Sequence, residues 1–249
     1  MAELSLAAIL GGVTALLFGG AVKGLTGIGL PLFSLPILAY FIPVPLAMSL
    51  LTLPSMVTST WQAVQGGNTI AAFRRVWPLL IGVAAGCTLT ARMLVSIDLH
   101  TLNLILGVLV VAFALILNFR VVFDVPPARE GSIGLAAGLI AGAIGGVSML
   151  FGPIYTVYLS GMRMDKEFFV VAVSLANLVA AGSLMLALAN LKIMGGAELA
   201  GSLAATVPVI IGMFVGQFVR TRLSDVRFRK ALALVLLAVG LSLIRKAFV

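Results

Sequence analysis

The residues whose types and spacing could do chemistry sit in and beside two glycine-rich breaks in an otherwise apolar chain. The first break reads Lys23-Gly24-Leu25-Thr26-Gly27-Ile28-Gly29-Leu30-Pro31. The second contains Gly142, Gly145, Gly146 and Ser148. A helix interrupted in hydrocarbon leaves amides and carbonyls without partners, which is tolerable where the break lines a cavity or meets a ligand. Glycine lets backbone approach a ligand closely, and helix N-terminal amides favour anions. Gly24, Gly27 and Gly29, facing Gly142, Gly145 and Gly146, are therefore candidate anion cradles, with Thr26 and Ser148 as hydroxyl donors. The competing role is close helix packing, since Gly20/Gly24, Gly138/Gly142, Gly82/Gly86 and Gly212/Gly216 are all GxxxG pairs.

Lys23 is the one charged side chain of the first break. An ammonium deep in a membrane costs about 2.5 kcal/mol or more and usually marks a substrate pathway. Two readings stay open: attraction of an anionic substrate, or snorkelling to the headgroup layer. Downstream, Thr52, Ser55, Ser59 and Gln62 share one helical face, and Ser174 and Asn177 take the corresponding places in the second half. These neutral donors suit the shell of an oxyanion or, alternatively, hydrogen bonds between helices.

Other chemistries lack their residues. Cys87 and His100 are the single cysteine and histidine, which is too few for a zinc site of the usual kind. Glu3, Asp98, Asp124, Glu130, Asp165, Glu167, Glu198 and Asp225 all fall in or near loops. No Gly-x-Ser-x-Gly motif or intramembrane aspartate pair provides an enzyme's nucleophile and base, so neither catalysis nor a cofactor is expected.

The elements that position these residues follow from composition. Of 249 residues, 61% are hydrophobic and 10% charged, and the mean hydropathy is +1.22. A soluble domain carries about 25% charged residues. Apolar runs near the ~20 residues that cross a bilayer recur along the chain, which predicts a polytopic helical membrane protein. The net charge of +8 is expected to orient loops rather than bind nucleic acid. Residues 4–22 are kept as a first membrane helix, because Glu3 stands where a signal peptide would carry basic residues.

The chain divides into a first repeat over 1–120, a linker over 121–131 and a second repeat over 132–249. An offset of 118 places Gly20, Gly24 and Gly27 on Gly138, Gly142 and Gly145, and Leu32-Phe33 on Leu150-Phe151. An offset of 130 places Pro78, Gly82, Gly86 and Arg92 on Pro208, Gly212, Gly216 and Arg222. Ordered matches of this kind point to duplication.

Loop charge decides between a bent helix and a hairpin at each break. With bends, the lysines and arginines divide seven against eight and give no orientation. With hairpins, eleven (Arg74, Arg75, Arg120, Arg129, Arg163, Lys166, Arg220, Arg222, Arg227, Arg229 and Lys230) share a face, opposite Arg92, Lys192, Arg245 and Lys246. Eleven against four obeys the positive-inside rule. The expected fold is an all-α polytopic membrane protein with two inverted structural repeats. Each repeat has a glycine-broken helical hairpin followed by three transmembrane helices, and both termini are extracytoplasmic. The two arms of the second hairpin are expected to be about 15 and 14 residues, both too short to span.

The duplicated breaks, Gly20-Ala-Val-Lys-Gly-Leu-Thr-Gly-Ile-Gly-Leu-Pro31 and Gly138-Leu-Ile-Ala-Gly-Ala-Ile-Gly-Gly-Val-Ser148, together with the Pro208…Gly212…Gly216 stretch, resemble the sulfite exporter TauE/SafE family over nearly the whole chain. The family's first break often has three successive glycines, where this chain has Gly27-Ile28-Gly29-Leu30. The resemblance implies a secondary transporter in a bacterial or archaeal cytoplasmic membrane. Its substrate would be a small sulfur-containing anion such as sulfite, a sulfonate, sulfoacetate or thiosulfate. Alternating access around a midplane site between the hairpins is the expected mechanism, with H⁺ or Na⁺ as a coupling ion and a homo-oligomer both left open. An anion channel or a membrane subunit of a larger complex is the alternative, and an intramembrane enzyme a remote one.

Overall fold

Apolar stretches with no water to satisfy their backbone become helices, and the computed structural model consists of helices and turns throughout its described residues, 6–27, 29–116, 124–219 and 225–248. The first half contains α1 (Leu6–Thr26), α2 (Leu30–Phe41), α3 (Val44–Gln65), α4 (Thr69–Ala91) and α5 (Leu99–Ile116). The second contains α6 (Glu130–Ser148), α7 (Gly152–Gly161), α8 (Lys166–Asn190), α9 (Gly196–Val219) and α10 (Asp225–Lys246). Six of the described helices are long and apolar enough to cross a membrane. Their outward apolar residues remain uncovered, Leu89 being 72% and Leu186 66% exposed, as a lipid-facing surface requires. The chain is a multi-pass integral membrane protein.

Both breaks are hairpins. The α2 helix runs back along α1: Ser34 Oγ donates to Ala15 O at 2.9 Å, and Phe41 packs on Gly11 near the start of α1. Along α6, Gly145 meets Phe151 beside the break, while Gly134 meets Tyr158 further along α7. The arms are unequal, which corrects the expectation of two short arms in the second half. The α6 helix has 19 residues and continues a 22-residue apolar span, whereas α7 has 10.

Two compact units form, and neither coincides with a sequence half. One comprises α1, α2, α3 as far as Pro54, α5, α9 and α10. The other comprises α3 from Ser55, α4, α6, α7 and α8. Glycine explains the principal packing in each. A Cβ added to Gly20 or Gly24 of α1 would strike the carbonyl of Val209 or Met213 on α9, and one on Gly212 or Gly216 would strike Leu17 or Ala21. In the other unit, Gly138 and Gly142 of α6 lie against Leu79 and Val83 of α4, and Gly82 and Gly86 lie against Leu135 and Leu139. These contacts repeat at the offsets read from sequence: Leu17 and Ala21 map to Leu135 and Leu139 at 118, and Leu79 and Val83 map to Val209 and Met213 at 130. Lipid offers no hydrophobic drive between helices, so close backbone approach through small residues supplies the attraction.

Pro54 interrupts the hydrogen-bond ladder inside α3. Lacking an N–H, it leaves the carbonyl of Leu50 without its i+4 donor. Ser202 of α9 fills the gap: its hydroxyl donates to Leu50 O at 3.0 Å and accepts from Leu53 N at 3.2 Å. Ser202→Ala is expected to leave both groups unsatisfied in a dry interior and to destabilise the protein by about 1–2 kcal/mol, read as a lower melting temperature in detergent.

Candidate functional site

At the first hairpin tip the α1 ladder ends with Gly27 N donating to Lys23 O at 2.8 Å. Gly27 (φ 79°) and Gly29 (φ 107°) then take left-handed backbone, which only glycine adopts cheaply. The hydroxyl of Thr26 donates to Val22 O at 2.9 Å. The second tip repeats this arrangement four residues later than an offset of 118 would place it. Ser148 Oγ donates to Ile144 O at 2.7 Å and accepts from Leu150 N at 3.3 Å, and the following residue, Met149, has φ 57°.

The offset at the tips is thus 122, pairing Thr26 with Ser148, Gly27 with Met149 and Pro31 with Pro153. Leu32-Phe33 lie within α2, whereas Leu150-Phe151 lie in the break, so that expected match is a coincidence of composition. Four extra residues in α6 are slightly more than one turn of 3.6. The extra turn carries the tip further from the glycine crossing while roughly keeping its face.

This placement separates the expected site residues into two groups. Gly142, Gly145 and Gly146 lie inside α6 rather than in a break, where they admit Val83, Phe151 and Thr90. Gly24 likewise lies inside α1 against Met213. Their direct role is packing. Thr26 and Ser148 use their hydroxyls to cap helix ends. Lys23, in the last turn of α1, is 1% exposed. Its ammonium is enclosed by protein and does not snorkel out.

The second group is a buried polar face. On α3, Thr52, Ser55, Ser59 and Gln62 are 0%, 4%, 0% and 6% exposed, while Val57 and Trp61 point outward. The face read from sequence is the inward one. Thr52 donates to Ser49 O at 2.8 Å, and Thr52 belongs to the first unit. Ser55, Ser59 and Gln62 belong to the second unit with Ser174 and Asn177. There α8 runs antiparallel to α3, with Val171 against Gly66 and Gly182 near Met56. Ser59 and Gln62 on one helix, and Ser174 and Asn177 on the other, lie between those two anchor points. The Oγ of Ser55, the Oγ of Ser174 and the Nδ2 of Asn177 are buried without hydrogen-bond partners.

Sequence reasoning missed two neighbours on α7. Tyr155, fully buried, donates to Asn177 Oδ1 at 2.5 Å, and the hydroxyl of Thr156 is also buried and unpartnered. The one available signal was a polar pair inside a short apolar arm.

Cations lie near the ends of both short arms. In the first unit, Lys246 Nζ donates to Ala39 O at 2.9 Å and Tyr40 O at 2.8 Å, satisfying carbonyls in the last turn of α2. In the second, Arg75 forms a forked pair with Glu130 (3.0 and 2.6 Å) and reaches Arg163 O at 3.4 Å beyond α7. Arg163 in turn meets Asp124 at 3.3 Å. Arg75 and Arg163 therefore share one end of this unit, as the hairpin reading of loop charge requires. Arg120, Arg220 and Arg222 lie outside the described residues, and so do the side chains of Arg227, Arg229 and Lys230. No group of three or more His, Cys, Asp or Glu able to hold a metal occurs among the described residues.

A family model described as Sulfite exporter TauE/SafE matches residues 12–243. The chain belongs to the sulfite exporter TauE/SafE family. TauE/SafE proteins are membrane transporters rather than enzymes. No curated protein and no solved structure matches the chain. Within this TauE/SafE chain the first tip depends on backbone that disfavours a side chain. Gly29→Ala, which also brings a Cβ to 3.3 Å from the ring of Phe33, is expected to cost about 1–3 kcal/mol and to depress transport. Thermal melts and flux at matched protein loading check this.

Proposed function

We propose that this TauE/SafE protein is a secondary transporter moving a small sulfur-containing anion, of the sulfite, sulfonate, sulfoacetate or thiosulfate class, by alternating access. The observation that carries this reading is the set of buried donors without partners, Ser55 Oγ, Ser174 Oγ and Asn177 Nδ2. An unsatisfied buried polar group costs about 1–3 kcal/mol. Such groups in a transporter are stable with a ligand that accepts their hydrogen bonds. Oxygens of a sulfur oxyanion are such acceptors. Ser59 and Gln62 extend the same face.

In the proposed topology the halves are inverted repeats in a bacterial or archaeal cytoplasmic membrane. The Arg75–Arg163 end is cytoplasmic and both termini are extracytoplasmic.

Purified protein in liposomes is expected to take up labelled sulfite, sulfoacetate or thiosulfate saturably and to show counterflow. Flux without saturation or counterflow would indicate a channel, and absence of flux for every anion of the class would overturn the substrate assignment. For topology, Phe248→Cys is introduced into a Cys87→Ala chain, because Phe248 is 77% exposed and Cys87 is buried. An impermeant maleimide is expected to label it from outside intact spheroplasts; labelling confined to inside-out vesicles would reverse the orientation.

A further inference from the structure

The contact between α7 and α8 carries more information than its burial. Tyr155 is 0% exposed, and its hydroxyl lies 2.5 Å from Asn177 Oδ1. That separation fits O–H···O geometry and is shorter than the 2.7–3.2 Å range of N–H···O bonds. A buried phenol must also place its proton, and Asn177 is the hydrogen-bond partner Tyr155 has among the described residues. The proton therefore points at Asn177, and the atom it faces is the amide oxygen. An amide side chain held by its oxygen has one orientation left: Nδ2, with two N–H bonds, is turned the other way. That nitrogen is buried and unpartnered. Ser174 Oγ lies one helical turn before it on α8, in the same state.

We infer that Tyr155 is a positioning residue for the transport site: its hydroxyl locks Asn177 with the amide nitrogen presented to the ligand. The site thereby selects the oxygen end of an anion and rejects groups that need an acceptor. The inference rests on the transport reading and adds to it a determinant of specificity on the short arm of the second hairpin. Without the phenol proton the amide can turn over and present Oδ1, which repels an oxyanion. Serine and threonine hydroxyls cannot make this distinction, because each donates or accepts as the ligand demands. Asn177, as locked by Tyr155, is the polarised element of the cluster.

The test is a double-mutant cycle in proteoliposomes with labelled sulfite. Tyr155→Phe keeps the ring and its packing and removes the hydroxyl. One hydrogen bond to a charged ligand corresponds to roughly tenfold or more in affinity, so Tyr155→Phe is expected to raise KM about tenfold with maximal flux within about twofold. Asn177→Ala is expected to raise KM at least as much. In the Asn177→Ala background, Tyr155→Phe is expected to add less than about twofold, because it acts through the missing amide. Asn177→Asp retains an acceptor for Tyr155 while removing the donor, and is expected to abolish flux. An unchanged KM in Tyr155→Phe, effects that multiply in the double variant, or sulfite flux retained by Asn177→Asp would each overturn the inference while leaving the transport reading standing. Absence of flux for every sulfur anion in the unmodified protein would overturn both.

Discussion

A bilayer interior contains no water, so each backbone amide or carbonyl released by a broken helix has to find its partner inside the protein. This chain breaks its helices repeatedly, and specific groups answer several of the interruptions. At the second tip the answer is local: Ser148 Oγ accepts from Leu150 N just beyond the helix end, while Thr26 and Ser148 both donate back to carbonyls of their own helices. Within α3, where Pro54 removes a donor, the answer comes from Ser202 on another helix. At the far ends of the short arms it comes from Lys246 on the last turn of α2 and from the amide of Val125 on the last carbonyl of α7. Because these partners consume the hydroxyls and cations nearest the breaks, the breaks themselves hold few spare donors. The unspent donors lie elsewhere, along α3, α7 and α8.

The same absence of water removes the hydrophobic effect as a force between helices. Backbone proximity takes its place, and the glycines of α1, α4, α6 and α9 are the means. The resulting pairs, α1 with α9 and α4 with α6, each join an element of one sequence half to an element of the other. Compact units consequently cut across the two halves of the chain. An exchange of this kind makes each half depend on the other for its tightest contact, so neither half buries its glycine face alone.

Much of the fold was legible because its signals are periodic or counted. Apolar run length gave the helices, and glycine spacing gave the equivalence of α1 with α6 and of α4 with α9. Loop charge separated hairpin from bend, and the contact of Arg75 with Arg163 agrees with that separation. The polar face of α3 was legible from the spacing of Thr52, Ser55, Ser59 and Gln62. The second tip was misplaced by one turn for a physical reason. Left-handed backbone is expected at glycine, and here Met149 takes it, held by the cap that Ser148 forms on either side. Gly145 and Gly146 drew attention to themselves as a break, yet their lack of side chains serves Phe151 and Thr90.

Composition, spacing and charge are properties of one segment or of a sum over segments, and from these the sequence by itself determined the membrane class, the hairpins and the inward face of α3. Which helices exchange partners, and whether a given hydroxyl is spent on backbone or left for a ligand, depend on atoms far apart in the chain. Only the tertiary structure decided that Ser34 is spent on Ala15 O and that Ser174 is not spent. It alone placed Ser202 in the gap left by Pro54, and it turned Asn177 by setting Tyr155 against its oxygen. A hydrogen bond is a matter of tenths of an ångström between groups that sequence periodicity places only to within a turn.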